Sequence, residues 1–346
     1  MDITFIIGNG FDLNLGLPTD YNHFYRYYSN LPSKDENVKK LKENIKQYID
    51  KDWRDLELGL GKYTSSVNNT QVFQDVYLDM QGNLSNYLKL VDKSLLPSSE
   101  ELKKQLMRDF VSPENHLNNK EKDYIVSFKN NYSNNNPWNL HIINFNYTHT
   151  IENILKLKDK EQIGQQFSRP VLYNGVDHIH RTIDDNGIWI GVNDESQIEN
   201  VSFRKELLIQ CLLIKPFMVS QSGNNEEIKC ANIIANSNLI CIFGFSLGET
   251  DEYWLNKIAN RLTSSDGCRL IYFTISQEKY STDQLYLYQK QIIKNKLLQR
   301  LGIPEDKMQS VQNRVYIAIN SFIFKDKDYY EAIEENYYKI VPQEGA

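Results

Sequence analysis

The sequence predicts an α/β fold, a doubly wound and mainly parallel sheet interrupted by a large helical insert. Three observations lead there. Short apolar runs recur at Ile3–Ile7, Leu140–Phe145, Leu239–Phe243, Leu270–Thr274 and Val315–Ile319, as strands covered on both faces require. Helical patterns alternate with the later runs, near 202–215, 224–236, 250–262 and 282–301, and this alternation is the signature of a parallel α/β sheet. Between the first two runs, from Asp20 to about Asn130, the chain is polar and its apolar residues keep helical spacing.

Taken in order, the first strand begins almost at the N-terminus and ends in Gly8-Asn9-Gly10. The insert then shows three apolar stripes at intervals of three and four residues. They are Val38, Leu41, Ile45 and Ile49; Met80, Leu84, Leu88 and Val91; and Leu102, Leu106 and Phe110. Ser98, Ser99 and Glu101 form a capping signal for the third. Asn130–Asn139, rich in Asn and containing Pro137, reads as a loop. Gly187–Val192 is a further short strand candidate, and Gly302 and Pro304 stop the last long helix. The expected division is a core of residues 1–19 and 137–346, with residues 20–136 as a helical lid or assembly domain.

At 346 residues the chain suffices for one large domain or two ordinary ones. No run approaches the roughly 18 apolar residues of a membrane span, and the N-terminus lacks the pattern of a signal peptide. A cytoplasmic protein with no membrane partner is expected. The net charge of −6 argues against general nucleic-acid binding. The run Lys39, Lys40, Lys42 and Lys46 is either a local basic patch or the solvated face of a helix. Cys211, Cys230, Cys241 and Cys268 are too far apart for a zinc knuckle or redox pair.

Four segments hold residues suited to chemistry. In Gly8-Asn9-Gly10-Phe11-Asp12 a buried strand runs into Gly-x-Gly, which serves either as a phosphate-binding turn or simply as a tight turn; Leu13 stands where the common dinucleotide fingerprint has its third glycine. Asn144-Phe145-Asn146-Tyr147-Thr148 lies at a strand's carboxyl end, where open α/β sheets bind ligands. An Asn there orients a water or a ribose hydroxyl, or ends the strand as a polar turn. In Asp177-His178-Ile179-His180-Arg181 the two histidines share a side if the segment is extended. They read as a metal pair, a general base or structural imidazoles, and no further ligand stands at suitable spacing, so no metal is expected. Gly244-Phe245-Ser246-Leu247-Gly248 precedes a helix starting near Thr250, with Glu249 and Asp251 beside it. It suits a phosphate or ribose contact, a helix cap, or the Gly-x-Ser-x-Gly elbow of a hydrolase that lacks a second signature here.

Together these segments resemble the AbiH family of bacterial phage-resistance (abortive infection) proteins. The matching pieces are Ile7-Gly8-Asn9-Gly10-Phe11-Asp12, Gly16-Leu17-Pro18, Trp53 with Glu57, Asn144 to Thr148, His178-Ile179-His180, and Phe243 to Gly248 with Thr250-Asp251. They occur in order across nearly the whole chain. The family is in turn similar to sirtuin-like, Rossmann-like NAD-consuming proteins. Gly8-Asn9-Gly10 with Gly16-Leu17-Pro18 resembles the sirtuin phosphate loop, Asn146 and His180 match its asparagine and histidine, and Gly244 and Ser246 match its Gly-Thr-Ser loop. Two departures stand out. Arg181 occupies the position where glycine usually follows the family histidine, and the four-cysteine zinc module of the deacylases is missing.

What the resemblance implies is an NAD hydrolase of phage defence, cutting the nicotinamide–ribose bond, with NAD as substrate and no metal. Its catalytic residues would be Asn146 and His180. Its cofactor-binding residues would be Gly8, Asn9, Gly10, Phe11, Asp12, Gly244 and Ser246, with the first glycine turn cradling the pyrophosphate through backbone N–H groups. Arg181 would narrow the pocket, pair with a phosphate or mark an inactive site. The expected partners are a phage-derived trigger or an associated defence protein, and a second copy of the chain in a homo-oligomer. The alternative is a non-catalytic sensor of NAD or ADP-ribose.

Overall fold

The computed structural model describes residues 1–132, 136–223, 225–278 and 282–340. The chain opens with β1 (Asp2–Ile7) and the short α1 (Gly10–Asn14). It then leaves the sheet for six helices: α2 (Tyr21–Asn30), α3 (Glu36–Tyr48), α4 (Leu56–Tyr63), α5 (Thr70–Ser94), α6 (Glu100–Val111) and α7 (Asn119–Asn130). It returns through β2 (Trp138–Asn144), α8 (Thr150–Leu155), β3 (Gln162–Gln166) and β4 (Arg169–His178). After α9 (Leu207–Leu213), α10 (Lys215–Ser222) and α11 (Glu226–Asn236), β5 (Leu239–Phe243) leads to α12 (Glu252–Ser264). β6 (Arg269–Thr274), α13 (Asp283–Arg300), α14 (Glu305–Gln312), β7 (Val315–Ile319) and α15 (Lys327–Ile340) complete the described chain.

The seven strands form one sheet in the order β3-β4-β2-β1-β5-β6-β7, parallel throughout except for antiparallel β3 at the edge. β1 lies between β2 and β5. The chain builds the sheet outward on one side of β1 and then crosses to build the other. That reversal creates a crevice at the carboxyl ends of the central strands, where α/β folds bind ligands.

Alternation along β1 explains the three layers. Ile3, Phe5 and Ile7 face a core shared with the inserted helices, whereas Ile6 faces a second core shared with α11–α14. The three predicted helical stripes lie on α3, α5 and α6, and Val38, Leu41, Ile45, Met80, Leu84, Leu88, Val91, Leu102, Leu106 and Phe110 are all buried in the first core. Ser99 caps α6 by accepting from Leu102 N at 3.0 Å. Phe110 packs edge-on against Phe5 of β1, ring centroids 4.9 Å apart. The insert and the sheet therefore share one apolar core.

Sequence expectations and structure differ in three places. Gly187–Val192 is no strand: its one ladder contact is an isolated bridge from Val192 to Ile214. Its buried backbone is satisfied by side chains instead, with Gln81 Nε2 donating to Ile188 O, Tyr147 Oη to Trp189 O and Tyr77 Oη to Ile190 O. The hairpin β3–β4 supplies the outer strands of that side, and its alternating, half-exposed pattern lacks a continuous apolar run. The helix expected over 202–215 is two helices, interrupted at Ile214 in extended conformation before Lys215-Pro216 opens α10. The predicted loop Asn130–Asn139 and helix 224–236 lie partly outside the described residues. Among the described residues no helix is long and apolar enough to cross a membrane.

Candidate functional site

A cleft of about 270 Å³ opens at the carboxyl ends of β1, β2, β4 and β5. Gly8, Asn9 and Asp12 enter it after β1, Asn146 and Thr148 after β2, His180 after β4, and Gly244 and Ser246 after β5. The insert forms the opposite wall with Tyr21, Arg54, Glu57, Leu84 and Leu88. Most of the predicted site residues thus meet in one place. Phe11 does not: it is fully buried against Phe243 and Phe324. Gly10 is likewise outside the main cleft, packed onto Gly244.

The two glycine-containing loops are joined backbone to backbone. Gly8 N donates to Phe243 O at 3.0 Å and Gly10 N to Gly244 O at 2.9 Å. Those two N–H groups are therefore unavailable to a pyrophosphate, which corrects the expected cradle. A Cβ on Gly8 would stand 2.5 Å from Gly244 O, and Gly244 itself has φ of +66°. Glycine is required here so that β1 and β5 can place their loops in contact. Asn9 is also engaged, its Nδ2 donating to Thr19 O and its Oδ1 accepting from Thr19 Oγ1.

Three polar groups at the floor are less completely used. Asp12 is buried, accepts from Thr148 Oγ1 at 2.5 Å through Oδ2, and leaves Oδ1 without a partner. Burial pushes its carboxyl up to about 6, against the neighbouring polar side chains of Thr148, Thr150 and Asn146, which favour the charge. Asn146 is buried and neither Oδ1 nor Nδ2 makes a well-formed hydrogen bond, while its amide lies close enough to Asp12 to favour that carboxyl's charge. Its backbone N–H is fixed by Asn144 Oδ1 at 3.1 Å, so Asn144 shapes the turn while Asn146 faces the cleft. His180 lies edge-on to Phe145, ring centroids 5.4 Å apart. Burial, helped by the Lys215 ammonium, holds its imidazole well below the usual histidine range, so it is neutral at physiological pH.

A buried charge cluster forms the wall behind His180. Lys215 Nζ donates to Glu57 Oε2 at 2.8 Å and lies 3.6 Å from Asp251 Oδ1. Burial opposes the lysine charge, but the two carboxylates outweigh it and raise Lys215. Glu57 is pushed up to about 7 by burial, with the adjacent Asp251 adding to it, despite the direct ion pair with Lys215. Two carboxyls compete for one ammonium. Glu57 and Asp251 appear among the motif residues, whereas Lys215 was not foreseen; its one signal is a lysine set within the apolar run Cys211–Met218. Arg54, at the rim, was also missed, and no ion pair engages it among the described residues.

Other expectations resolve differently. Arg181 stands outside the cleft lining, its guanidinium 4.6 Å over the Trp189 ring. Its φ of +65° explains why glycine suits the position after His180. His178 is not paired with His180 and instead meets His149 and Glu152. Ser246 is exposed and makes no hydrogen bond to a histidine or carboxylate, so the elbow motif builds no triad. Thr250 does not cap α12 but lies in the 3-10 turn Glu249–Asp251 before it, and upstream of that turn the carbonyls of Leu247 and Gly248 accept from Arg300. Lys39 pairs with Glu36, and Lys42 lies over Tyr28 while bonding Leu31 O, as on an ordinary helix face.

The bacteriophage abortive infection family AbiH matches residues 4–274, a span that includes every loop of this cleft. No curated protein matches the chain.

Proposed function

The chain belongs to the AbiH family of bacteriophage abortive infection proteins, and from that premise we propose that its cleft hydrolyses NAD at the nicotinamide–ribose bond. The observation supporting this reading is the buried Asn146 amide next to the Asp12 carboxyl, whose charge it favours, with no well-formed hydrogen bond at either amide atom or at Asp12 Oδ1. Unpaired buried polar groups cost about 1–3 kcal/mol each, and a ribose diol with a water supplies the donors and acceptors they lack.

In this reading Asp12 accepts a hydrogen bond from a hydroxyl of the nicotinamide ribose, and Asn146 holds the attacking water. Nicotinamide leaves neutral from the cationic pyridinium, so no acid is needed on the departing side. Charge develops on the ribose as in glycoside cleavage generally. Water forms the new bond to the anomeric carbon and gives its proton to His180, which is neutral beforehand but a weakened base, so the proton passes only once bond formation has made the attacking water strongly acidic. The products are ADP-ribose, nicotinamide and one proton. Gly244, Ser246 and Arg54 all line the cleft; in this reading the first two would face the adenosine and Arg54 would supply a rim cation for the phosphates. In this reading the protein is cytoplasmic, which gives the site access to the NAD pool, a phage-derived trigger or associated defence protein releases the activity, and a homo-oligomer is the acting form.

Incubating purified protein with NAD and following free nicotinamide tests the chemistry. Release is expected, falling at least 100-fold in Asn146→Ala and His180→Ala. Tight nucleotide binding without release would establish the sensor in its place.

A further inference from the structure

Beside the cleft, where β2 hands over to α8, two histidines and a glutamate converge. Register places His178, the last residue of β4, opposite Asn144 of β2. His149 immediately precedes α8 and Glu152 follows in its first turn, three residues on. His178 Nε2 lies 2.7 Å from Glu152 Oε1, and His149 Nδ1 lies 3.4 Å from the same oxygen. All three ligand atoms are within 4.8 Å of one another. Tetrahedral coordination at about 2.0–2.1 Å from each donor places donors roughly 3.3 Å apart, so modest side-chain adjustment suffices.

The outer nitrogens are the second part of the case. His178 Nδ1 is 3.0 Å from the carbonyl of Asn146, and His149 Nε2 is 3.2 Å from Asp184 Oδ2. The latter contact is close but lacks hydrogen-bond geometry. His178 thus turns one nitrogen to the fixed backbone carbonyl of Asn146 and His149 turns one toward the exposed Asp184 carboxylate, while the other nitrogen of each ring faces a common point. Metal-bound histidines show this arrangement, with a carbonyl or carboxylate fixing the tautomer from behind. Glu152 Oε2 is buried and unpartnered. Side-chain exposures of 27% for His149 and 32% for Glu152 leave an entry path.

We propose that His149 Nδ1, His178 Nε2 and the Glu152 carboxylate bind a divalent transition metal of the zinc class, oriented by the Asn146 carbonyl and Asp184. Two imidazoles with one carboxylate select such an ion over magnesium or calcium, which favour all-oxygen sites. Three protein ligands leave a coordination position for water. Through His178 Nδ1 the ion fixes the backbone of Asn146, so the site positions the residue given the water-holding role above. Only this consequence rests on the NAD reading; the metal site stands apart from it.

The test is titration of chelator-treated full-length protein with Zn²⁺ and Co²⁺, followed by calorimetry and by visible Co²⁺ absorption. One equivalent should bind, with at least 100-fold weaker binding in Glu152→Gln and His178→Gln. Asp184→Asn, at a side chain 76% exposed and so neutral for folding, should weaken binding about 10–100-fold. Absence of stoichiometric binding, equal response to Mg²⁺, or full metal retention in these variants would overturn the proposal. Because the readout is metal bound and not nicotinamide released, failure here is distinct from failure of the NAD reading.

Discussion

Gly10 and Gly244 leave no room for a side chain between them: a Cβ on Gly10 would lie 2.5 Å from Gly244 Cα, and one on Gly244 would lie 2.7 Å from Gly10 Cα. The contacted atoms are backbone, held by the Gly10 N to Gly244 O bond, so neither loop can yield cheaply. Gly10→Ala should destabilise the protein by about 1–3 kcal/mol, the usual consequence of overpacking. Gly244→Ala adds the strain of its left-handed backbone and should lose more. Denaturant midpoints measure both, and a Gly10→Ala midpoint equal to wild type would contradict this packing.

Asp12 should make stability depend on pH. Its carboxyl titrates near 6 in the folded chain, against about 3.9 when unfolded. Between those values the folded chain holds a proton that the unfolded chain lacks, so its contribution is complete below about pH 4 and disappears as pH rises through 6. The difference is on the order of 3 kcal/mol. Asp12→Asn retains an acceptor for Thr148 without the charge. It should gain stability relative to wild type as pH rises from 4 to 6, then keep that advantage to pH 8. A gap independent of pH would refute the assignment. Nicotinamide release by wild type should rise through the same range, and that rise should vanish in the variant.

The Glu57–Lys215–Asp251 cluster predicts unequal mutational effects. Lys215→Met leaves two buried carboxyls without their shared cation and should destabilise by about 3–5 kcal/mol. Glu57→Gln leaves Lys215 with Asp251 and should be milder. Thermal unfolding of the two variants distinguishes them, and equal losses would mean Asp251 at 3.6 Å gives no compensation.

Arg181→Gly should leave nicotinamide release unchanged, because the guanidinium lies on Trp189 away from the cleft lining. Relief of the positive φ, worth roughly 1–2 kcal/mol, is partly offset by the lost cation–π contact of about 0.5–1 kcal/mol. The net effect is a small gain or none. A large change in NAD turnover would return Arg181 to the site.

These contrasts mark what was legible in sequence. Strands such as Val315–Ile319 are apolar at every position because both sheet faces are covered, and the stripes on α3, α5 and α6 point one way because one core receives them. The apolar run at Ile188, Trp189 and Ile190 looked the same, yet Gln81, Tyr147 and Tyr77 take its carbonyls in place of neighbouring strands. Asn146 and His180 could be found because they follow strands directly. Lys215, on a helix far along the chain, reaches the cleft only through tertiary packing. His149 and Glu152 offer in sequence only a three-residue spacing, and His178, which completes the cluster, comes from the end of β4.

The central claim is that this cleft consumes NAD as part of phage defence. Cellular NAD followed through phage infection, in cells expressing wild type, Asn146→Ala or His180→Ala at equal levels, tests it most directly. NAD should collapse after infection with wild type and hold steady with either variant. Equal collapse in all three, or phage resistance by wild type at constant NAD, would contradict it.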